Sequence, residues 1–332
     1  MRRAASLALV AVLVAVGSVP LAAYLKLGSR VGTRTVTLKW NRMPIRYYVT
    51  NRAAENVTAQ EFQSTITRAF ATWGGVSTAV LSSEFAGFTQ ASPTLGDGQT
   101  VLGFQSRPEL EKVLGATSFI IDTISGEIVE SDIFFNSAFP WSVASGGETG
   151  RFDLESIALH EIGHLNGLGH SALGETELRA GGRRVLGAES VMFPIAFSAG
   201  STASRTPKAD DIAGISDIYP SGDFTRDRGS ISGKVTKDGK GLLGAHVIAF
   251  NLRTGHLVGG FTLNEDGGFV LSGLEPGPQV LRVEPLDDGD IESFFDATLD
   301  IDLDFKVKFH DKLVVVPRGG GASGVEVKVV AK

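Results

Sequence analysis

Residues 160–170 read HEIGHLNGLGH. His160 and His164 are four positions apart, which on an α-helix sets them about 40° apart on one face and one turn along, so both imidazoles can reach one ion. Glu161 then falls beside that ion. Gly167 can take the left-handed conformation that ends a helix and turns the chain back, which swings His170 round as a third nitrogen ligand. Three neutral imidazoles leave a zinc ion an open fourth position for water, the arrangement of catalytic rather than closed structural sites. Zinc in such a site acidifies the water and polarises a carbonyl, and Glu161 is placed to take the water's proton as general base. The chemistry expected of the segment is peptide-bond hydrolysis. With five positions fixed at about one in twenty each, a chance match in a chain of this length is on the order of one in ten thousand.

The elements that must position these groups are legible around them. Asp153 can cap the helix, and Leu154, Ile157, Ala158, Ile162 and Leu165 give it an apolar face. Upstream, Val36 to Thr50 reads as a strand broken at Pro44, with Ile45, Tyr47 and Val49 alternating. Thr58 and Glu61 make a capping box, after which Phe62, Ile66, Phe70 and Trp73 recur at helical spacing as core positions. Three β-rich runs follow at Val101 to Phe104, Ala116 to Asp122 and Glu127 to Phe135, with a turn over 122–126. The first half is therefore α+β. After Tyr219 the composition shifts. Residues 220–229, PSGDFTRDRG, have the polar, turn-forming character of a linker. Beyond them the pattern is all strand: Ile231 to Val235, Ala245 to Asn251, Leu257 to Leu263, Phe269 to Leu271, Val280 to Val283, Phe305 to Val316 and Val325 to Val330. The intervening turns give the spacing of a β-sandwich.

The chain has 332 residues, 42% hydrophobic and 20% charged, enough for two modest domains. Its 31 basic and 37 acidic residues give a formal charge of −6, without the cationic surplus that nucleic-acid binding needs, so no nucleic-acid partner is expected. There is no cysteine, so disulfides, thiolate zinc sites and cysteine nucleophiles are excluded. Arg2 and Arg3 precede an uncharged, largely apolar run from Ala4 to Leu25, which reads as a secretory signal or, uncleaved, as an N-terminal membrane anchor over residues 1–27. Either outcome places the remainder outside the cytoplasmic membrane, extracellular or in the cell envelope. An exported chain without cysteine leans towards a bacterial source.

The histidine pattern resembles the extended motif of the metzincin metalloproteases, in which a methionine turn follows. Ser190-Val191-Met192-Phe193-Pro194 looks like that turn, and the resemblance places Met192 beneath the zinc as structural support. Within metzincins, FDLESIALHEIGHLNGLGHS (residues 152–171) and PKADDIAGISDIYP (residues 207–220) resemble the active-site and C-terminal helices of matrixins, and the likeness covers roughly residues 35–220. The second segment also reads as a helix, with Thr206 as cap, Pro207 in the first turn, Asp210 and Asp211 at the positive end in a structural role, and Ile212, Ile215 and Tyr219 inward. The resemblance implies a mixed twisted sheet, His160, His164 and His170 on zinc, and one strand edging the cleft, for which Leu114 to Ile121 is the candidate, pairing with extended peptide or protein substrates.

The departures from the matrixin pattern carry expectations of their own. Without cysteine, and with fewer than 20 residues between a cleavage near Ala22 or Ala23 and Trp40, the family's cysteine-latched prodomain is expected to be missing. No further histidine serves the first half, which argues against a second, structural zinc. The stretch from His170 to Met192 is longer than in vertebrate matrixins, and Ala196 stands where their specificity-pocket wall has tyrosine, so no cleavage preference carries over. Calcium on Asp97, Asp122 or the Glu127 to Asp132 run competes with a reading of those acids as solvated turns.

Residues 231–255 and 265–277 resemble carboxypeptidase-regulatory-like, transthyretin-like β-sandwich modules, a likeness that speaks to fold and leaves the module's partner unknown. His246, His256 and His310 read there as surface or packed side chains. The organisation expected is a signal or anchor at 1–27, a metzincin catalytic domain at 28–220, a linker at 221–229 and an all-β sandwich domain at 230–332. The function expected is a secreted or membrane-tethered zinc endopeptidase. The alternatives are a catalytically inactive metzincin-fold binding or adhesion protein, which the intact Glu161 disfavours, and a zinc hydrolase acting on something other than protein.

Overall fold

The computed structural model describes residues 14–15, 26–31, 34–180 and 182–332. Of the segment read as signal or anchor, all but Val14, Ala15, Lys26 and Leu27 lies outside the described residues. Among the described residues no helix is long and apolar enough to cross a membrane.

The alternating residues of β1 (Ile45–Thr50) put Ile45, Tyr47 and Val49 into the interior. Helix α1 (Ala59–Gly74) starts on the expected capping box, Thr58 and Glu61 each satisfying the other's main-chain N–H. β2 (Ser83–Thr89) and β3 (Val101–Gln105) flank β1 in parallel, and β5 (Ile128–Asn136) adds in parallel to β3. β4 (Gly115–Ile121) runs antiparallel to β5, completing a mixed sheet, and Val14–Ala15 pairs along its other side at Ser118 and Phe119. Phe62, Phe104, Phe135 and Trp141 interlock between α1 and the sheet. Burying these four rings supplies much of the apolar area that holds the first half together.

Helix α2 (Leu154–Leu165) begins as its sequence requires, with Asp153 accepting the Ser156 N–H. It packs on α1 through Trp73, whose indole N–H donates to the Leu159 carbonyl at 2.9 Å. The last carbonyls of α2, which have no partner within the helix, are met by the Trp40 indole at Leu165 and the Tyr219 hydroxyl at Asn166. The long stretch after His170 folds as a hairpin of β6 (Gly174–Arg179) and β7 (Gly182–Ala188). Helix α3 (Ala209–Ile218) starts two residues later than a Thr206 cap implies. Asp211 accepts the Lys208 N–H at 2.7 Å and so does the capping itself, leaving Pro207 outside. The polar stretch after Tyr219 is partly a short helix, α4 (Gly222–Asp227), with Phe224 buried.

Beyond it lie two sheets. β8 (Gly229–Lys237) pairs with β11 (Gly268–Leu274) and β15 (Gly321–Val329). β9 (His246–Asn251) lies between β10 (Leu257–Phe261) and β12 (Gly277–Glu284), with β13 (Lys308–Phe309) and β14 (Val314–Val316) on the far edge of β12. Ile231, Leu271 and Val327 of the first sheet share one buried cluster with Val247, Leu281 and Val283 of the second. The run read as a single strand from Phe305 to Val316 is interrupted. Phe305 is buried in the shared core, and pairing breaks over residues 310–313.

Candidate metal centre

His160, Glu161 and His164 sit on buried turns of α2, and His170 follows the turn at Gly167, whose φ of +94° is left-handed as its place in the motif requires. A Cβ at Gly167 would also stand 2.3 Å from the Leu38 carbonyl oxygen, so glycine is demanded on two grounds.

The three imidazoles converge. His164 Nε2 lies 3.1 Å from His160 Nε2 and 3.2 Å from His170 Nε2. Each ring points its Nδ1 away, at a main-chain carbonyl: Val191 for His160 at 2.8 Å, Leu168 for His164 at 2.8 Å and Ser293 for His170 at 2.7 Å. A carbonyl only accepts, so each Nδ1 carries the proton and each Nε2 lone pair faces the shared centre. Metal–nitrogen bonds of about 2.0–2.1 Å in a tetrahedral site place nitrogens about 3.3 Å apart, so the donor set fits a zinc ion. Burial also keeps the rings neutral. It lowers His160 to about 3 and His170 to about 4, and holds His164 well below its ordinary value with the other two rings beside it. Among the described residues these histidines are the group of three or more His, Asp or Glu side chains close enough to hold one metal ion.

Glu161 is fully buried. Its Oε2 meets the Thr117 hydroxyl of β4 at 2.7 Å, and its Oε1 is buried without a partner in the protein. Desolvation raises the carboxyl to about 8, with the Thr117 contact opposing. Thr117 was not singled out by sequence reasoning, since a threonine in a β-run carries no signal of what it faces across the sheet.

Met192 is fully buried against α2, where a Cβ on Gly163 would come within 2.3 Å of its sulfur. The turn that carries it is gripped by Asp211, which accepts from the Ser190 hydroxyl at 2.5 Å and the Val191 and Met192 N–H groups at 2.9 and 3.2 Å. Its neighbour Asp210 accepts from the Ser171 hydroxyl at 2.5 Å and, from β10, the Gly259 N–H at 2.9 Å. A structural role for the pair was legible. Which loops it binds was not, because an acidic pair at a helix start reads as dipole compensation wherever it faces.

A small cavity of about 30 Å³ opens beside His160, lined by Ile157, Val191, Ile195 and Ala196. Of the acids weighed for calcium, Asp97, Asp122, Glu130 and Asp132 accept main-chain N–H groups, and two of them are not solvated. Glu130 and Asp132 are buried, accepting from the N–H groups of Gly96, Gly98 and Val101, while Asp122 caps its own turn. His246 is buried on Glu284 at 3.1 Å, and His256 and His310 lie at the surface.

Comparison with known proteins gives the same frame. The Matrixin family model matches residues 39–220. Metalloendoproteinase 1-MMP of Arabidopsis thaliana is 29% identical over 193 residues, 54% of this chain and 44% of that protein. Metalloendoproteinase 1 of Glycine max is 32% identical over 177 residues, 48% of this chain and 45% of that protein. The chain thus spans less than half the length of either relative. Among solved structures the Bacillus anthracis TIE protein aligns at 20% identity over 32% of this chain and 17% of that one, with a TM-score of 0.20, too slight an overlap to bear on the fold.

Proposed function

The chain belongs to the matrixin family, and from that premise we propose that it is a zinc-dependent endopeptidase. The observation that carries the proposal is the convergence of three Nε2 atoms at 3.1–3.2 Å with the Glu161 carboxyl one residue along the same helix. His160, His164 and His170 hold the ion in this reading, Glu161 is the general base, and Met192 supports the ligands from below. When bound, the zinc supplies Lewis-acid polarisation of the scissile carbonyl and acidifies the attacking water. Glu161 takes the proton that the water loses. Glu161 holds that proton until it passes to the leaving amine. Thr117 holds Oε2 throughout, leaving Oε1 as the proton-transferring oxygen. In this reading the edge of β4 that Val14–Ala15 meets at Ser118 and Phe119 is offered to an extended peptide or protein substrate once that N-terminal segment is removed or displaced.

Residues 230–332 serve in this proposal as a transthyretin-like β-sandwich accessory domain, joined through 221–229 to a catalytic domain at 28–220. The charged start and apolar run of residues 1–27 support export, secreted or membrane-tethered. Digestion of a peptide library by the purified chain, read by mass spectrometry against Glu161→Ala, tests the activity. Losing the base costs on the order of 100-fold or more in rate while the three nitrogens remain. Cleavage by the wild type alone supports an enzyme. Zinc bound in full with no cleavage by either moves the reading to a metzincin-fold binding protein.

A further inference from the structure

The third histidine is held differently from the other two. His160 and His164 stand on α2, and their Nδ1 acceptors, Val191 and Leu168, belong to the first half of the chain. His170 stands on the loop beyond the helix, and its acceptor is the carbonyl of Ser293, 123 residues away in sequence.

Ser293 ends a single 3₁₀ turn, Ile291–Ser293, in the irregular stretch between β12 and β13. The turn's main-chain bonds fix the direction of that carbonyl: Ser293 N–H donates to Asp290, and Phe294 and Phe295 N–H both donate to Ile291, each at 2.9 Å. Phe294 follows it, 1% exposed, with its ring 6.2 Å from the His170 ring. Phe294 and Phe295 in turn pack on Phe261 of β10, in a cluster that also takes in Leu286 and Ala172, the latter two residues past His170. The stretch is tied at its start to the hairpin after His170. Asp288 accepts the Thr176 N–H at 2.5 Å, and the Asp287 carbonyl accepts from Arg183 at 2.8 Å. The strap over residues 286–295 is thus clamped from both ends around one metal-facing ring.

We propose that this strap is a working part of the metal centre, its Ser293 carbonyl positioning His170 so that the second half of the chain sets how tightly the first half holds its ion. The inference rests on the zinc-site reading above. Its physical basis is that an imidazole on a loop has freedom about both side-chain torsions, and only an acceptor at Nδ1 fixes its tautomer and aims Nε2. No other acceptor for that N–H is present among the described residues. Removing such a partner costs about 10- to 100-fold in metal affinity. A covering that merely excluded solvent would leave the affinity alone.

The experiment uses the full chain and two readouts, the zinc dissociation constant by competition with a chromophoric chelator, and amide hydrogen exchange with and without zinc. Phe294→Ala loosens the strap and is expected to weaken zinc about 10-fold or more at unchanged saturating stoichiometry. Ser293→Ala leaves the constant unchanged, because the main chain makes the contact. By reciprocity, loading the stripped wild type with zinc slows exchange at the amides of residues 290–295. A folded Phe294→Ala with wild-type affinity overturns the proposal. If that variant does not fold, Asp288→Ala decides, since it removes the side-chain half of the strap's hold on the hairpin without opening the core: faster exchange in the strap at wild-type affinity overturns it equally. A wild type that binds no zinc fails the underlying zinc reading, and shows as missing stoichiometry in every variant rather than as a difference between them.

Discussion

The Thr117 hydroxyl lies 2.7 Å from Glu161 Oε2 and 3.0 Å from the Glu161 carbonyl oxygen, so β4 grips one residue of α2 by side chain and main chain at once. A hydroxyl has one proton and two lone pairs. With the acid proton carried on Oε1, the hydroxyl donates to Oε2 both when the carboxyl is ionised and when Oε2 is the carbonyl oxygen of the neutral acid. One side chain therefore serves both charge states of the proposed base.

Thr117→Val keeps the shape and removes the hydroxyl. A hydrogen bond to a charged group is worth about 1.5–3 kcal/mol, so kcat should fall roughly 10- to 100-fold with zinc stoichiometry intact. Because the Thr117 contact lowers a carboxyl that burial raises, its loss raises Glu161 further and moves the acid limb of the rate profile to higher pH. Thr117→Ser should restore both. An unmoved pH profile in the valine variant would remove Thr117 from the mechanism.

Gly163 lies between the two helical histidines, and its missing side chain is what lets Met192 approach. A methyl there would stand 2.3 Å from the Met192 sulfur and 3.1 Å from Trp73. Gly163→Ala is expected to destabilise the chain by about 1–3 kcal/mol despite the gain in helix propensity. Combining it with Met192→Ala should cost less than the two single changes added, because the second makes room for the first. Urea unfolding of the four proteins checks both points, and strict additivity would rule out the clash.

The extent to which the sequence revealed the site follows from how local each signal is. The helix, its Asp153 cap and the turn at Gly167 are encoded within fifteen residues, and all three stand in the structure. Thr117 and Ser293 touch the centre from 44 and 123 residues away, Asp211 grips the turn of Met192 at Val191 from 20, and all three have ordinary residue types for their elements. Ser293 contributes a carbonyl that every residue possesses, so no sequence pattern could mark it. The α3 start moved because Asp211 caps from inside the helix, a bond that competes with Thr206 only once the turn at Met192 is placed beside it.

Metal retention in acid follows from the same burial that shapes the site. His160 and His170 are held at about 3 and about 4, below the ordinary histidine value, so protons do not compete for Nε2 until the pH falls through that range. Zinc content after dialysis should stay stoichiometric down to about pH 5 and be lost below about 4. In the metal-free chain the unfolded state binds more protons between the lowered values and about 6.5, so stability falls as pH falls through that window. Zinc lost already near pH 6 would contradict the depressed values.

Asp210 has the opposite sign. Burial and the Asp211 carboxyl beside it push Asp210 up to about 8, so between the ordinary aspartate value of about 4 and that raised one the folded chain binds more protons than the unfolded. Its contribution to stability is full below about pH 4 and is lost as the pH rises towards 8. Asp210→Asn cannot ionise, and its amide keeps an oxygen for the Gly259 N–H while its NH₂ can donate to Ser171. The variant should gain on the wild type as pH rises from 5 to 8, by at most about 1.4 kcal/mol per pH unit for one proton. The difference of unfolding free energies measured in urea at the two pH values isolates this contribution, since every other titrating group is common to both chains. Parallel pH curves would mean that Asp210 is ionised throughout, its charge carried by the Ser171 hydroxyl and the Gly259 amide alone.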